Sequence, residues 1–472
     1  MNLKNIIPLY IINLFTSLAT SVVIPILTDL DTNYNLNRNS FLIKDLTLSI
    51  GSIEAVFVFI STFSLIFWGY RVDKKNRQPL FIIGLIIFII GDILILIQPQ
   101  NILFYIIGRC LFMGTGLGAL GPAAYSYAGD LLSFEKRSTI NSTLSITGIG
   151  GLGVGILLSG LLSRIYLFLP FISLILLAMG LMALLFIYPE PIRGSEEPEI
   201  KKILEKNAQS KSKVKALEDD YSQNITVSSL KLILTRKTNL FILIQGLFAL
   251  IPSIIFSYYL ISYLHDTRHG GAGLDLTFAI LLAMGPASGR LLGFPFFGWL
   301  GDKLHFSTNK FFRNRGRAFI PTITMFVQAP IMICAFLIGL PDLNGTIQVF
   351  PNILFSHTQF IMFGVLFFIG AFVGGGSGPN RNSILFDVNE PELRGQTSSI
   401  LAIGDQIGAS IGLLLGNIFI VAYGYASAFA FLSVGYFVSG IFWYGAFLSI
   451  NSDEKKLRAK IEDRLLHLHN NY

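Results

Sequence analysis

The sequence predicts an all-helical membrane protein in which twelve transmembrane helices form two pseudo-symmetric six-helix bundles. Only 13% of its 472 residues are charged and 52% are apolar, whereas about a quarter of the residues of a soluble protein are charged. Twelve apolar runs are each long enough to cross a bilayer, which takes about 20 residues. One motif recurs in both halves at equal spacing, as expected of a duplicated membrane protein. Its members are Gly121, Pro122, Asp130 and Arg137, and then Gly378, Pro379, Asp387 and Arg394.

The spanning segments follow from the apolar runs and from the breakers between them. We expect the first run to be a spanning helix rather than a cleaved signal peptide, because the stretch from Ile6 to Leu27 is too long for a signal and no small-residue cleavage site follows it. Breakers such as Pro99 and Pro351 separate neighbouring runs. The predicted segments are 5–28, 46–69, 79–98, 101–127, 139–163, 166–188, 239–264, 277–300, 318–340, 357–386, 396–421 and 424–449.

The distribution of basic residues predicts that both termini are cytoplasmic, since lysine and arginine are enriched in cytoplasmic loops. In that topology nearly all of the 35 lysines and arginines lie in cytoplasmic segments. The exceptions are four in the outer segments (Arg38, Lys44, Arg164 and Arg268) and three within helices (Arg109, Arg290 and Arg381). We therefore expect a multi-pass protein of the cell membrane.

Polar segments divide the chain into domains. Residues 1–188 form the first bundle, 189–238 a cytoplasmic linker, 239–450 the second bundle and 451–472 a cytoplasmic tail. The linker either only connects the bundles or serves as a regulatory docking site. The tail spaces Leu457, Ile461, Leu465 and Leu468 on one helical face, which predicts an amphipathic helix on the inner membrane surface.

Several classes of protein are excluded by what the sequence lacks. Cys110 and Cys334 are the only cysteines, and both lie in apolar runs, so neither a disulfide framework nor a metal site is expected. The net charge of +7 is explained by the topology, so we expect no nucleic-acid partner. No nucleotide-binding P-loop and no hydrolase motif is present. We expect no enzyme activity and no cofactor.

Two cytoplasmic helix ends carry a glycine–aspartate pair. Gly69 and Asp73 stand before helix 3 and are followed by Arg77, whereas Gly298 and Asp302 stand before helix 9. The glycines permit close approach of the backbones where helices cross. The carboxylates lie near the N-termini of the opposing helices 11 and 5, whose partial positive charge favours an anion.

This signature, of the form G-x-x-x-D-x-x-x-R, and the Arg-Gly motif that begins at Arg109 in helix 4 resemble the major facilitator superfamily. The resemblance covers the helix number, the six-plus-six division and the central loop, and it implies that superfamily's fold. In the second copy the basic residues come later, at Arg313, Arg315 and Arg317.

The resemblance implies that these residues form a cytoplasmic gate, which closes when the cavity faces outward and opens as the bundles rock. We expect Arg77, Asp130 and Arg137 to form one ion-pair network. Asp302, Asp387 and Arg394 should form its mirror image. The alternative is a set of solvated surface pairs that contribute little to stability.

Ionisable residues within spanning segments are costly and usually functional. Glu54, Asp92 and Arg109 reach comparable depths in the first bundle, and Arg290 and Asp405 lie in the second. We expect Arg109 to pair with Glu54 or Asp92, and Arg290 with Asp405. These pairs are either structural or contain a protonatable carboxylate. In the superfamily the position of Arg109 is tied to proton coupling, so our hypothesis is that Glu54 carries the proton and Arg109 is its counter-charge.

Helix 1 carries a polar stripe of four residues, Asn13, Thr16, Ser17 and Thr20. Helix 7, its counterpart, carries Gln245. Such residues either line a cavity or hold helices together. Glycines at regular spacing in helices 5 and 11 predict close packing between the bundles; they are Gly148, Gly151, Gly155, Gly404, Gly408, Gly412 and Gly416.

Within the superfamily the second half narrows the match. The segment from Asp387 to Gly395, followed by Gly404 and Asp405, resembles the spinster-type transporters of lysolipids and sphingolipids, and other parts resemble drug-efflux branches. Spinster-type proteins carry an Asp-Arg pair in helix 1, where this chain has neutral residues, and a Glu in helix 4, where it has Leu117.

The function expected from this resemblance is secondary active transport by alternating access. The substrate would be a small or amphipathic organic solute, including lipid-like molecules, with protons as the coupling ion. The alternatives are a passive uniporter of the same fold and a non-transporting sensor or scaffold. We expect a monomer in contact with the lipid bilayer.

Overall fold

The computed structural model describes residues 7–26, 30, 33–34, 50–74, 76–131, 137–187, 233–265, 270–274, 276–341, 343, 356–390 and 393–470. Most of the expected linker lies outside these residues. Helices α1 to α12 correspond to the twelve predicted segments. They are α1 Ile7–Ser21, α2 Ile50–Lys74, α3 Arg77–Ile97, α4 Ile102–Ile106 with Ile107–Met113 and Gly114–Leu131, α5 Arg137–Leu162, α6 Leu169–Ile187, α7 Lys237–His265, α8 Leu276–Ala287 with Gly289–His305, α9 Gly316–Leu337, α10 Thr358–Gly374 with Ser377–Val388, α11 Arg394–Tyr423, and α12 Tyr425–Leu432 with Val434–Asn470.

Several segments consist of successive helices, and α8 is divided into two short ones. Eleven stretches of the described chain are long and apolar enough to cross a membrane, whereas α8 consists of two shorter helices joined at Ser288. The second part of α8 carries Asp302 at its end.

Each bundle has its own apolar core. The first includes Phe88 and Phe171, and the second includes Phe336 and Trp443. A small third cluster lies between the bundles, where side chains of α1, α4 and α5 meet Phe386 of α10. Helices also meet across the seam outside this cluster, chiefly α2 with α11 and α5 with α8 and α10.

The glycine stripes pack helices within a bundle, not between bundles as the sequence suggested. A Cβ added at Gly151 of α5 would clash with the Leu14 carbonyl of α1, and one at Gly408 of α11 would clash with the Leu247 carbonyl of α7. The expectation was wrong because a stripe of small residues indicates close approach but does not identify the partner helix.

The tail prolongs α12 instead of forming a separate helix at the membrane surface. Val434–Asn470 is continuous, and Leu457 and Ile461 are buried against the protein. The Asp453 carboxylate accepts a hydrogen bond from the Thr238 N–H at the start of α7 (2.9 Å). The side chains of Leu465 and Leu468 lie outside the described part of the chain.

Candidate functional site

Arg109 and Glu54 form a bidentate ion pair between α4 and α2. Nε lies 2.9 Å from Glu54 Oε1, and Nη2 lies 3.0 Å from Oε2. The guanidinium also donates to the carbonyls of Ala19 (3.1 Å) and Thr20 (3.4 Å) in α1. Its carbon lies 4.2 Å from the centre of the Phe57 ring. Both charged side chains are buried, so the pair connects three helices of the first bundle.

Asp92 of α3 lies close to this pair but is not hydrogen-bonded to it. Its side chain is fully buried, and neither carboxyl oxygen has a hydrogen-bond partner within the described part of the chain. The helices touch at the preceding residues, where Gly91 and Gly108 each lie against the other's carbonyl oxygen. Arg109 sits in a π-helical stretch, Ile107–Met113, and such bulges occur often at functional sites.

In the second bundle Asp405 pairs with Arg381, not with Arg290. Arg381 Nη1 lies 2.5 Å from Asp405 Oδ2, and Nη2 donates to the Leu401 carbonyl (3.3 Å). Arg290 instead interacts with Tyr436 of α12. The expected pair was wrong because depth in the membrane does not fix the direction in which a side chain points. Arg381, visible in the sequence as a charge within a helix, is the partner that this reasoning missed.

Asn13 of α1 both holds helices together and borders a cavity. Its amide donates to the Leu144 carbonyl (2.5 Å) and to Thr147 Oγ1 (3.1 Å), both in α5. Asn13, Thr16 and Ser17 line a cavity of about 410 Å³. The two interpretations of the polar stripe are therefore compatible.

The cavity lies at the seam between the bundles. Its walls come from α1, α4 and α5, with Phe294 of α8 and Asn382 of α10 on the other side. No charged side chain is among the described residues that line it. The polar side chains among these lining residues are amides and hydroxyls.

Gln245 does not line this cavity. It is buried, and its Oε1 accepts a hydrogen bond from Ser439 of α12 at 3.2 Å. Tyr258, further along α7, lies near Glu54 and Arg109. This part of the second bundle therefore approaches the ion pair of the first.

Two of the residues predicted to form the gate of the first bundle, Arg77 and Asp130, form a buried ion pair. Arg77 at the start of α3 lies 2.5 Å from the Asp130 carboxylate near the end of α4, and it also donates to Ser126. Both side chains are buried. The pair is therefore not a solvated surface contact.

In the second bundle Arg317 occupies the position that corresponds to Arg77. Its Nη1 lies 2.6 Å from Asp387, the counterpart of Asp130, and its Nη2 lies 2.7 Å from Asp302. All three side chains are buried. Asp387 and Asp302 thus share one arginine. Arg394, the expected partner, has a side chain outside the described part of the chain, as do Asp73 and Arg137.

Asp302 also binds the opposite bundle. Its Oδ2 accepts hydrogen bonds from the Thr139 N–H (2.8 Å) and hydroxyl (2.7 Å) in the first turn of α5, where helix N–H groups lack internal partners. The glycines of the two glycine–aspartate pairs, Gly69 and Gly298, are buried within α2 and α8. Two further bonds cross the seam nearby, from Asn141 to Ser383 and from Tyr125 to the Asn382 carbonyl. The bundles are thus bonded together at this end, which we call the gate end.

Two curated proteins resemble parts of the chain. The first, an uncharacterized MFS-type transporter, YwfA, from Bacillus subtilis, is 34% identical over 145 residues, 30% of this chain. The second, protein spinster homolog 3 from Danio rerio, is 25% identical over 160 residues, 33% of this chain. Each match covers 32% of the relative's length.

Solved structures with a similar fold cover nearly the whole chain. A proton:xylose symporter, XylE, gives a TM-score of 0.64 at 15% identity, covering 94% of this chain and 96% of its own. The E. coli fucose:proton symporter FucP gives 0.65 at 14% identity, covering 94% and 98%. The human organic anion transporter MFSD10 gives 0.62 at 14% identity, covering 93% and 99%. The Major Facilitator Superfamily model matches residues 9–350 and 345–468, and this chain is a multi-pass membrane protein that belongs to that superfamily.

Proposed function

We propose that the protein is a secondary active transporter that moves a small or amphipathic organic solute by alternating access, with protons as the coupling ion. Membrane transport follows from the family and the fold. The solute, the coupling ion and the mechanism are the proposed part. We further propose a monomer in the cell membrane with both termini in the cytoplasm.

The observation that carries this proposal is the bonding between the bundles at the gate end. Asp302 contacts Thr139 across the seam while it is also bound by Arg317 of its own bundle. A carboxylate held in this way can release the opposite bundle without becoming an unpaired buried charge. Such a breakable contact suits alternating access, whereas a rigid scaffold has no need for it.

The proposed solute class rests on the walls of the seam cavity. Amides, hydroxyls and apolar groups suit a neutral solute or the neutral part of an amphipathic one, because an unpaired charge would be poorly accommodated there. The partial similarity to a spinster homologue is compatible with a lipid-like molecule. The symporters of similar fold transport protons with sugars, which supports including sugars among the solutes tested.

The test is solute uptake by purified protein in liposomes. Candidate solutes are first selected by thermal shift from panels of sugars, lysolipids and organic ions, since a ligand of the folded state raises apparent stability. We expect uptake of a selected solute to accelerate when a pH gradient is imposed and to slow when an ionophore removes it.

Two results would contradict the proposal in different ways. A rate of uptake that does not change with the pH gradient would identify a uniporter. If folded protein transported none of the solutes that stabilise it, the sensor or scaffold would be favoured. Uptake by a Thr139→Val variant is compared with uptake by the wild type, to check that transport depends on the seam contact.

A further inference from the structure

Glu54, Arg109 and Asp92 together contain two carboxyl groups and one guanidinium. Arg109 directs Nε and Nη2 to Glu54, and its remaining contacts go to two carbonyls of α1. Among the residues that the structure describes, none donates a hydrogen bond to Asp92. If both acids were ionised, the group would carry one unbalanced negative charge in the interior.

Burial decides which acid is neutral. The exposed fraction of Asp92 is 0%, and a buried carboxylate without donors is far more costly than a buried neutral acid without a partner. Glu54, by contrast, is held as an anion by two hydrogen bonds from Arg109, which is the strong bidentate geometry. The neutral form therefore belongs to Asp92.

The surroundings of Asp92 offer it one alternative partner. Arg109 is the charged group that acts on it. Helix α6, which packs on α3, has no ionisable side chain, and α1 has only Tyr10. The other titratable groups nearby are Glu54 on α2 and Tyr105 and Cys110 on α4, with Tyr34 against Tyr105. Tyr258 of α7, in the second bundle, lies near Glu54 and Arg109.

We propose that Asp92, rather than Glu54, holds the exchangeable proton of this transporter, and that the proton determines which carboxylate Arg109 binds. When Asp92 loses its proton, it becomes an anion that competes with Glu54 for the guanidinium. A shift of Arg109 towards Asp92 would release the carbonyls of Ala19 and Thr20 in α1. The proton is thereby coupled to the helix that carries Asn13, Thr16 and Ser17 in the cavity wall.

This inference extends the proposed transport function, but its test requires no solute. Infrared spectroscopy of the full chain in liposomes detects the C=O stretch of a protonated carboxyl group. We expect such a band at neutral pH in the wild type, its complete loss in Asp92→Asn, and no change in the control Asp405→Asn, which removes a carboxylate that already has an arginine partner. In Glu54→Gln the band should also disappear, because Arg109 then becomes available to ionise Asp92.

Three outcomes would overturn the inference: no band in the wild type, a band that survives Asp92→Asn, or a band that survives Glu54→Gln. If Asp92→Asn fails to fold, the wild-type protein with ¹³C-labelled aspartate carboxyl groups is measured instead. The C=O band must then shift if it comes from an aspartic acid. A Glu54 band would not shift and would refute the assignment. Absence of solute uptake with an intact Asp92 band would count against the proposed function alone.

Discussion

The contact between Thr139 and Asp302 gives a quantitative prediction for the gate. Thr139→Val removes the hydroxyl that donates to Asp302 at 2.7 Å and leaves the backbone N–H in place. A hydrogen bond to a charged group contributes about 1.5–3 kcal/mol, and we take the lower limit of about 1.5 kcal/mol because Thr139 is only half-buried. The bond exists only while the bundles meet at the gate end. We therefore expect the ratio of open to closed gate to rise about tenfold.

The measurement is a distance distribution between two spin labels at the gate end. Arg71 of α2 and Lys303 of α8 are exposed and lie in different bundles, so labels on cysteines at these sites report their separation. In Thr139→Val the population at long distance should grow at the expense of the short one. The native exposed cysteine is removed in all samples.

A matched control lies one helical turn further along α5. The Thr143 hydroxyl bonds with Tyr10 of α1, so Thr143→Val removes a threonine hydroxyl whose described bond lies within the first bundle. Its distance distribution should match that of the unsubstituted protein. Equal shifts in both variants, or none in Thr139→Val, would refute the assignment of Asp302 as a seam contact.

Three further predictions concern stability and are checked by thermal unfolding of the purified protein. Arg317→Gln leaves two buried aspartates without their shared cation and should destabilise the protein by about 3–5 kcal/mol, while the exposed Arg313→Gln should have no measurable effect. Gly151→Ala, which crowds the α1 backbone, should cost about 1–3 kcal/mol; Gly150→Ala, with open space around it, serves as its control. Asp453→Ala removes the acceptor at the start of α7 and should cost about 1 kcal/mol; unchanged unfolding would show that the tail does not hold this helix.

The sequence was sufficient to predict the helices and the duplicated plan, because length and hydropathy decide what can cross a bilayer. The repeat also identified Asp130 and Asp387 as counterparts. Arg317 was noted among the basic residues after Asp302 but was not assigned to the ion-pair network, because it follows Asp302 by 15 residues, whereas Arg77 follows Asp73 by only four positions. The loop between α8 and α9 is longer than the corresponding loop between α2 and α3. The sequence spacing therefore differs even though the two arginines occupy corresponding positions in the fold.

The candidate site was predictable only in part. Charges within spanning segments pointed to Glu54, Asp92 and Arg109, but spacing along a helix could not decide which carboxylate the arginine binds. That choice depends on the rotation of α2 and α3 about their axes, which is set by packing. For the same reason the sequence paired Asp405 with Arg290 instead of Arg381.

The glycine contacts of α5 on α1 and of α11 on α7 have a mechanical consequence. Backbone lies directly on backbone at Gly151 and Gly408, with no side chain between them that could change rotamer and absorb a displacement. We therefore expect each helix pair to tilt as one rigid unit. A tilt of α5 as the gate end separates would then also tilt α1, which carries part of the cavity wall.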